Sequence, residues 1–389
     1  MNIFVTGIGV VTAAGINVDE NLASLRTHCT GIERCPETGI MLGRVRLRSG
    51  EIVERFNLPE LDYSRTSLLG IVAASEAWGK CMPDPGIRTG MISATSVGGL
   101  DRMENYYWKD LDNGRHEPNP LQTHGNGRTT ERIAKHLGIN GIVATISTAC
   151  SSGANAIQYG ARLMRAGILD RVLVGGSDPL SHFTINGFSA LKIYDQERCK
   201  PFDNARSGLN LGEGAAYLLL ENERCLNYTL RTPLGILSGW NNSSDAYHQT
   251  ASSADGTGAT LAMKRALKCA QLNHHEINYI NAHGTGTHNN DLSESIAIMN
   301  VFQTSIPPFS STKGFTGHTL AAAGAIEAVY CILALQENIT LPNLNFSTPM
   351  TETGLRPVTK CSADSNVTHV LSNSFGFGGS CTSLIFSKP

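Results

Sequence analysis

The feature that most narrows the fold of this 389-residue chain is a pattern that occurs twice. A strand-like run, VATISTAC (143–150), passes directly into a helix rich in small residues, SSGANAIQYGARLMRAG (151–167). Far downstream, SSTKGFTGH (310–318) passes into TLAAAGAIEAVYCILAL (319–335), a second helix of the same kind. MISATSVGG (91–99) and YINAHGTGT (279–287) are likewise short strands that break into glycine-rich loops. Strand-like and helical stretches alternate along the whole chain, which is the pattern of an α/β protein with central sheets. The repeat reads as a duplication, with its seam in the polar stretch Asn222–Pro233 and halves at 1–228 and 229–389. Small residues along both helices let them pack closely against sheets or each other. Open α/β sheets hold ligands at the carboxyl ends of their strands, and Cys150, His283 and His318 all stand where strands end.

Composition narrows the function. Charged residues are only 16% and the formal net charge is −2, which argues against nucleic acid as the main partner and against a disordered regulator. Ten cysteines are scattered with no C-x-x-C pair and no Cys/His group at zinc spacing, so no metal is expected and a reducing compartment is. The amino-terminal MNIFVTGIGVVTAAG has no basic region before its apolar stretch and reads as a strand and glycine turn rather than a signal peptide. The longest apolar run, Thr319–Leu335, is short for a membrane span and carries Glu327, so it is expected as a helix inside the protein. These readings describe a soluble, cytoplasmic, enzyme-like chain with no membrane insertion. Glycine, at 40 residues, exceeds the usual proportion of about 7% and suggests many close backbone approaches.

Cys150 ends an apolar strand and opens a helix whose first turn is Ser-Ser-Gly. A helix amino terminus there is expected to lower the thiol pKa, and the small residues leave room for an acyl group. His283 lies in Asn-Ala-His-Gly-Thr-Gly-Thr, a loop whose backbone can approach a ligand and whose hydroxyls can bind it. His288, five residues on, forms a pair with metal-like spacing but has no third ligand in sequence. His318 follows Lys313-Gly-Phe-Thr-Gly and precedes the buried helix that carries Glu327. A carboxylate in that helix needs a partner, and Lys313 is the nearest candidate. The last loop, Asn373-Ser-Phe-Gly-Phe-Gly-Gly-Ser, reads as a mobile turn with Phe375 and Phe377 as aromatic lids.

Together these motifs resemble the β-ketoacyl-[acyl-carrier-protein] synthases. STAC followed by Ser-Ser-Gly, NAHGTGT with Asp291 after it, KGFTGHTLAAAG with Glu327, and NSFGFGG stand in that family's order, with KPFDNARSGLNLGEGAA between them. The likeness is to the elongating class with a Cys-His-His triad, which includes polyketide ketosynthases. It implies a thiolase fold: duplicated α/β halves in a five-layer αβαβα arrangement, in a dimer. It implies that Cys150 takes an acyl chain from phosphopantetheine and that the backbone N–H groups of Cys150 and Phe375 hold the oxyanion. His283 and His318 would then stabilise the enolate formed as malonyl-carrier protein loses carbon dioxide. Lys313, paired with Glu327, would set the electrostatics around His318, and Asp291 would brace the histidine loop. Thr285 and Thr287 would bond the pantetheine arm, and Phe375 and Phe377 would gate the substrates. No bound cofactor or metal is implied, because phosphopantetheine arrives on acyl carrier protein, the expected partner alongside a second copy of the chain or a related subunit.

The chain departs from the family's pattern in two places. It is shortened between Tyr106 and Thr129, and Cys381 stands where asparagine is common. Met103 aligns with the position that limits acyl length in relatives. Acyl length, saturation and pathway, fatty acid or specialised polyene or polyketide, are not set by these motifs. Two other readings share the fold. A non-catalytic chain-length subunit of a ketosynthase heterodimer generally lacks the nucleophile that is present here. A thiolase uses a second cysteine near the carboxyl terminus but not the two-histidine motifs.

Overall fold

A computed structural model describes residues 1–59, 63–81, 84, 86–113, 121–362 and 366–389. Ten strands form one continuous sheet: β1 (Ile3–Thr12), β2 (Thr89–Ala94), β3 (Val143–Ile146), β4 (Arg171–Asp178), β5 (Gly214–Asn222), β6 (Gly235–Ser244), β7 (Tyr279–Asn281), β8 (Phe309–Ser310), β9 (His369–Gly376) and β10 (Ser380–Ser387). Across the first half their order is β3-β2-β4-β5-β1, and from the opposite edge the second half reads β8-β7-β9-β10-β6. Numbered within each half, both orders are third, second, fourth, fifth, first. The pairings repeat as well. The second strand lies parallel to the third and fourth, and the fourth and first lie antiparallel to the fifth, in both halves. The halves meet where β1 and β6 share only the pairs Phe4–Ile236 and Val5–Gly235.

Five helices complete the layers: α1 (Arg65–Trp78), α2 (Ser152–Arg165), α3 (Thr257–Ala270), α4 (His288–Phe302) and α5 (Ala323–Glu337). α1 covers the outer face of the first half, and α3 with α4 that of the second. α2 and α5 lie between the halves and touch strands of both, giving the αβαβα stack. Sequence explains the assignment. α5 is buried from Ala323 to Leu335 without a polar stripe, as a helix covered on all sides requires. It is the apolar run noted in the sequence; by length and composition Leu320–Glu337 could cross a membrane, but here it is the core helix between the two halves of the sheet. The small residues permit close packing: a methyl group on Gly153 of α2 would meet the backbone of Ala321 and Ala325 at 2.8 Å.

The stretch read as one helix over 319–335 begins as a 3-10 turn, Leu320–Ala322, before α5. The polar seam contains a short helix, Glu223–Thr229. The final glycine-rich segment is the hairpin between β9 and β10, not a free lid: Phe375 is paired with Cys381 inside the sheet. Within the shortened 106–129 stretch, residues 114–120 lie outside the described residues.

Candidate active site

β3 runs into α2 through a sharp elbow. Ala149 takes a left-handed φ of 51°, and Ser151 stands at the helix N-cap with its side chain turned to the Thr148 carbonyl rather than to the helix N–H groups. A non-glycine residue in that conformation costs of order 1–3 kcal/mol, the strain by which an elbow can present one side chain. That side chain is Cys150. Its thiol is 6% exposed, and burial pushes its pKa up to about 11. The expected lowering is therefore overturned: loss of water around the sulfur outweighs the Lys313 charge and the nearby N–H groups, which pull the other way. The backbone N–H that approaches the sulfur is that of Phe377, together with Cys150's own. This corrects the assignment of Phe375: its side chain lies instead beside His283, with ring centroids 5.7 Å apart.

The His283 loop leaves the end of β7 and returns into α4. Two carboxylates of α4 gather its backbone. Glu294 accepts from the N–H of His283 at 2.9 Å and of Gly284 at 2.8 Å, while Asp291 accepts from Thr285 and Gly286 and from Phe202 across the site. Asp291 thus braces the loop as expected; Glu294 is an addition. Its position three residues after Asp291 puts both on one helical face, a signal the sequence offered. Burial pushes Glu294 up to about 7 against those donors.

Lys313 is 2% exposed and ion-paired with Glu327. The same ammonium donates to the His283 carbonyl at 2.5 Å and lies 3.3 Å from His283 Nδ1. Lys313 was expected to act around His318; its direct contacts are with His283. An ammonium has only protons to give, so Nδ1 is the acceptor and the ring proton sits on Nε2. Burial, with the Lys313 charge, holds both histidines well below the usual imidazole range, so both are neutral. His318 is fixed through its backbone, its N–H donating to the Asn210 carbonyl at 2.7 Å and its own carbonyl accepting from Gly212. The following turn is pinned by buried Asp178, which accepts from the Ala321 N–H at 2.8 Å. Asp178 was not singled out in the sequence, where it is one acid at a strand end.

The two imidazoles meet edge to face with centroids 5.4 Å apart. A cavity of about 340 Å³ is lined by Cys150, His283 and His318 together with Thr285, Thr287, Phe375 and Phe377. The hydroxyls of Thr285 and Thr287 lie 2.9 Å apart. Phe377 stacks on Phe188 at 5.8 Å, and Cys381 is also in the lining. Met103 is not: it lies half-buried on the helix Leu100–Asn113, outside the cavity wall.

The family profile described as beta-ketoacyl synthase, N-terminal domain, matches residues 1–224, and that described as beta-ketoacyl synthase, C-terminal domain, matches residues 234–347. The chain belongs to the β-ketoacyl synthase family. A curated relative, 3-oxoacyl-[acyl-carrier-protein] synthase 2 of Staphylococcus aureus (strain MRSA252), is 30% identical over all of this chain and 98% of its own length. Among solved structures, the ishigamide ketosynthase/chain length factor superposes with a TM-score of 0.92 at 28% identity, covering 100% of this chain and 99% of that one. A type II PKS acyl-carrier protein in complex with its ketosynthase bound to the hexaketide (AntDE:AntF) gives 0.90 at 27% identity, with the same coverage. Membership agrees with the five-layer stack and with a synthase that keeps its cysteine and both histidines in one cavity.

Proposed function

We infer that this β-ketoacyl synthase joins an acyl group, held on Cys150, to malonyl-carrier protein by decarboxylative Claisen condensation, in fatty acid or related polyene or polyketide synthesis. The observation that carries the reading is the convergence of one buried thiol and two neutral imidazoles on a single cavity, with His283 held as an Nε2–H donor by Lys313.

In the first step the Cys150 sulfur attacks the thioester carbonyl of an acyl-carrier protein. The carbon–sulfur bond to pantetheine breaks, and the departing thiol takes up the proton that Cys150 gives up. The N–H groups of Phe377 and Cys150 receive the transient oxyanion. Malonyl-carrier protein then enters, its arm bonded by the hydroxyls of Thr285 and Thr287. Breakage of its carboxylate bond releases carbon dioxide and leaves the electron pair as an enolate, whose oxygen takes hydrogen bonds from His283 and His318. The enolate carbon attacks the acyl-Cys150 carbonyl, the carbon–sulfur bond breaks, and β-ketoacyl-carrier protein leaves while the Cys150 thiolate takes a proton from solvent.

Neutral imidazoles suit this work because they donate a hydrogen bond without holding the enolate as a tight ion pair. Loss of carbon dioxide drives the condensation, so the chemistry asks for no bound cofactor or metal. We assign the acyl and malonyl groups to acyl carrier protein and divide the chain at 228/229 into a half bearing the nucleophile and a half bearing both histidines. We also expect a dimer, with a second copy or a related chain-length subunit as partner. Ten free cysteines fit a cytoplasmic location.

Intact-mass spectrometry with acyl- and malonyl-carrier protein tests the reading. Wild-type protein should gain the acyl mass and yield the β-ketoacyl product, and Cys150→Ala should gain none. An equal mass gain on Cys150→Ala defeats the assignment.

A further inference from the structure

Six neutral side chains from both halves close a hydrogen-bonded cluster around the Cys150 elbow. Thr148, Ser151 and Asn155 come from the first half, and Asn242, Ser380 and Thr382 from the second. Asn155 is their centre. Its Nδ2 donates to Thr148 Oγ1 at 2.9 Å and lies 3.3 Å from both Ser151 Oγ and Ser380 Oγ. Its Oδ1 accepts from Asn242 Nδ2 at 3.1 Å and from Thr382 Oγ1 at 2.9 Å. Ser151 Oγ is 2.9 Å from Ser380 Oγ, and Asn242 Nδ2 is 2.9 Å from Ser380 Oγ and 2.8 Å from Thr382 Oγ1. A side-chain amide brings two N–H donors and a separate carbonyl acceptor to one such node, where a hydroxyl brings a single donor.

The β9–β10 hairpin explains what this cluster controls. Side chains alternate between the faces of a strand. Gly376 pairs with Ser380, and Ser374 with Thr382, so Ser380 and Thr382 share the face turned to the elbow. Asn373 and Phe375, paired with Ser383 and Cys381, share the other face, where Asn373 donates to Glu294 at 3.0 Å and Phe375 meets His283. The hairpin also rests on the elbow through its backbone: a methyl group on Gly376 would lie 2.7 Å from the Thr148 carbonyl and 3.2 Å from Cys150 N. Phe377 is the next residue, and its N–H reaches the sulfur. None of the six side chains hydrogen-bonds to Asp291, Glu294, Lys313 or Glu327.

We propose that this cluster, centred on Asn155, is the positioning element for the Cys150 half of the reaction: it fixes the 376–380 turn so that the Phe377 N–H meets the oxygen of the group being transferred to sulfur, and it leaves decarboxylation at the histidines alone. The proposal rests on the assignment of acyl transfer to Cys150 and of decarboxylation to His283 and His318.

The test compares two half-reactions in the same preparations. Cys150 acylation is timed by intact mass with acyl-carrier protein, and conversion of malonyl- to acetyl-carrier protein is followed separately, each with the melting temperature recorded. Complete loss of one oxyanion donor slows a reaction by about 10²–10³-fold, so displacement of the Phe377 donor in Asn155→Leu should slow acylation by roughly 10–100-fold. Malonyl decarboxylation should stay within about twofold of wild type, since its carbonyl needs only the imidazole donors. Ser380→Ala, which removes one hydroxyl at the rim, should shift the same ratio in the same direction by a smaller factor, and it carries the comparison if Asn155→Leu does not fold. Equal loss of both half-reactions, or a lowered melting temperature with the ratio unchanged, overturns the positioning role while the assignment of Cys150 stands. Wild-type protein that gains no acyl mass overturns that assignment and the proposal with it.

Discussion

The Cys150 elbow and the His283 loop face one cavity but are built from opposite materials. The elbow is held by hydroxyls and amides, with Asn155 between Thr148 and Thr382. The histidine loop is held by ionisable groups: Asp291 and Glu294 on its backbone, and the Lys313–Glu327 pair behind its ring. The contrast follows from what each group does during turnover. Sulfur passes from thiol to thioester and back, and neutral partners can tolerate those changes without a fixed charge favouring one of them. The imidazoles serve as hydrogen-bond donors in one protonation state, which fixed charges one layer out can impose. Lys313 does this directly by occupying His283 Nδ1.

The largest way to break this division is to remove a donor from the enolate site. His318→Ala should still acquire the acyl mass on Cys150 but lose condensation by about 10²–10³-fold, the usual cost of one oxyanion donor. Quantifying acyl-enzyme and β-ketoacyl product in one time course checks it; loss of acylation as well would show that the two regions do not act separately.

Next comes the ion pair. Lys313→Met removes one partner from a buried pair, a change that costs about 3–5 kcal/mol when the other charge is left behind. Burial raises the Glu327 pKa above its ordinary value, and without Lys313 it rises further. Below the unfolded carboxyl value Glu327 is protonated in both states and no ionic penalty arises. Between that value and the higher folded one, the folded state binds more protons than the unfolded, so stability falls as pH rises. Wild-type Glu327 already stands at about 7, so the stability deficit of Lys313→Met should open above about pH 7 and grow toward pH 9 in urea titrations. A deficit that shrinks over that range would refute the buried, uncompensated carboxylate.

The parts legible in the sequence were those encoded over short spans. Cys150 and His283 closely follow the strands Val143–Ile146 and Tyr279–Asn281, and His318 follows the short helical turn Lys313–Thr316, so short local motifs located them. Small residues in α2 and α5 announced close packing. The Asn155–Asn242 contact joins positions 87 apart, and Asn155–Ser380 joins positions 225 apart, so no local pattern contains the elbow's cluster. Thiol burial was equally invisible. A helix start favours thiolate, and only the folded cavity shows that desolvation outweighs it. The Phe375 and Phe377 roles required strand register: the first phenylalanine is paired within the ladder, and the second sits in the turn with its N–H free for the sulfur.

That raised thiol value gives a milder test of the elbow. With Cys150 at about 11, its thiolate is scarce at neutral pH, and alkylation by iodoacetamide should keep accelerating with pH past 9 rather than level off. A plateau near pH 8 in the inactivation rate would show that the amide donors outweigh burial after all.

The smallest effect belongs to the hydroxyl pair at the cavity wall. Thr287→Val keeps the volume but removes the hydroxyl proposed to bond the pantetheine arm, a net of about 0.5–1.5 kcal/mol. Since 1.4 kcal/mol is tenfold in an equilibrium constant, KM for malonyl-carrier protein should rise by roughly 2–12-fold. The arm holds the malonyl group but takes no charge as carbon dioxide leaves, so kcat should stay near the wild-type value. Steady-state kinetics with varied malonyl-carrier protein separates the two parameters. A fall in kcat at unchanged KM would place Thr287 with the histidines as part of the enolate site, and the boundary between holding the substrate and stabilising its charge would have to be redrawn through the loop itself.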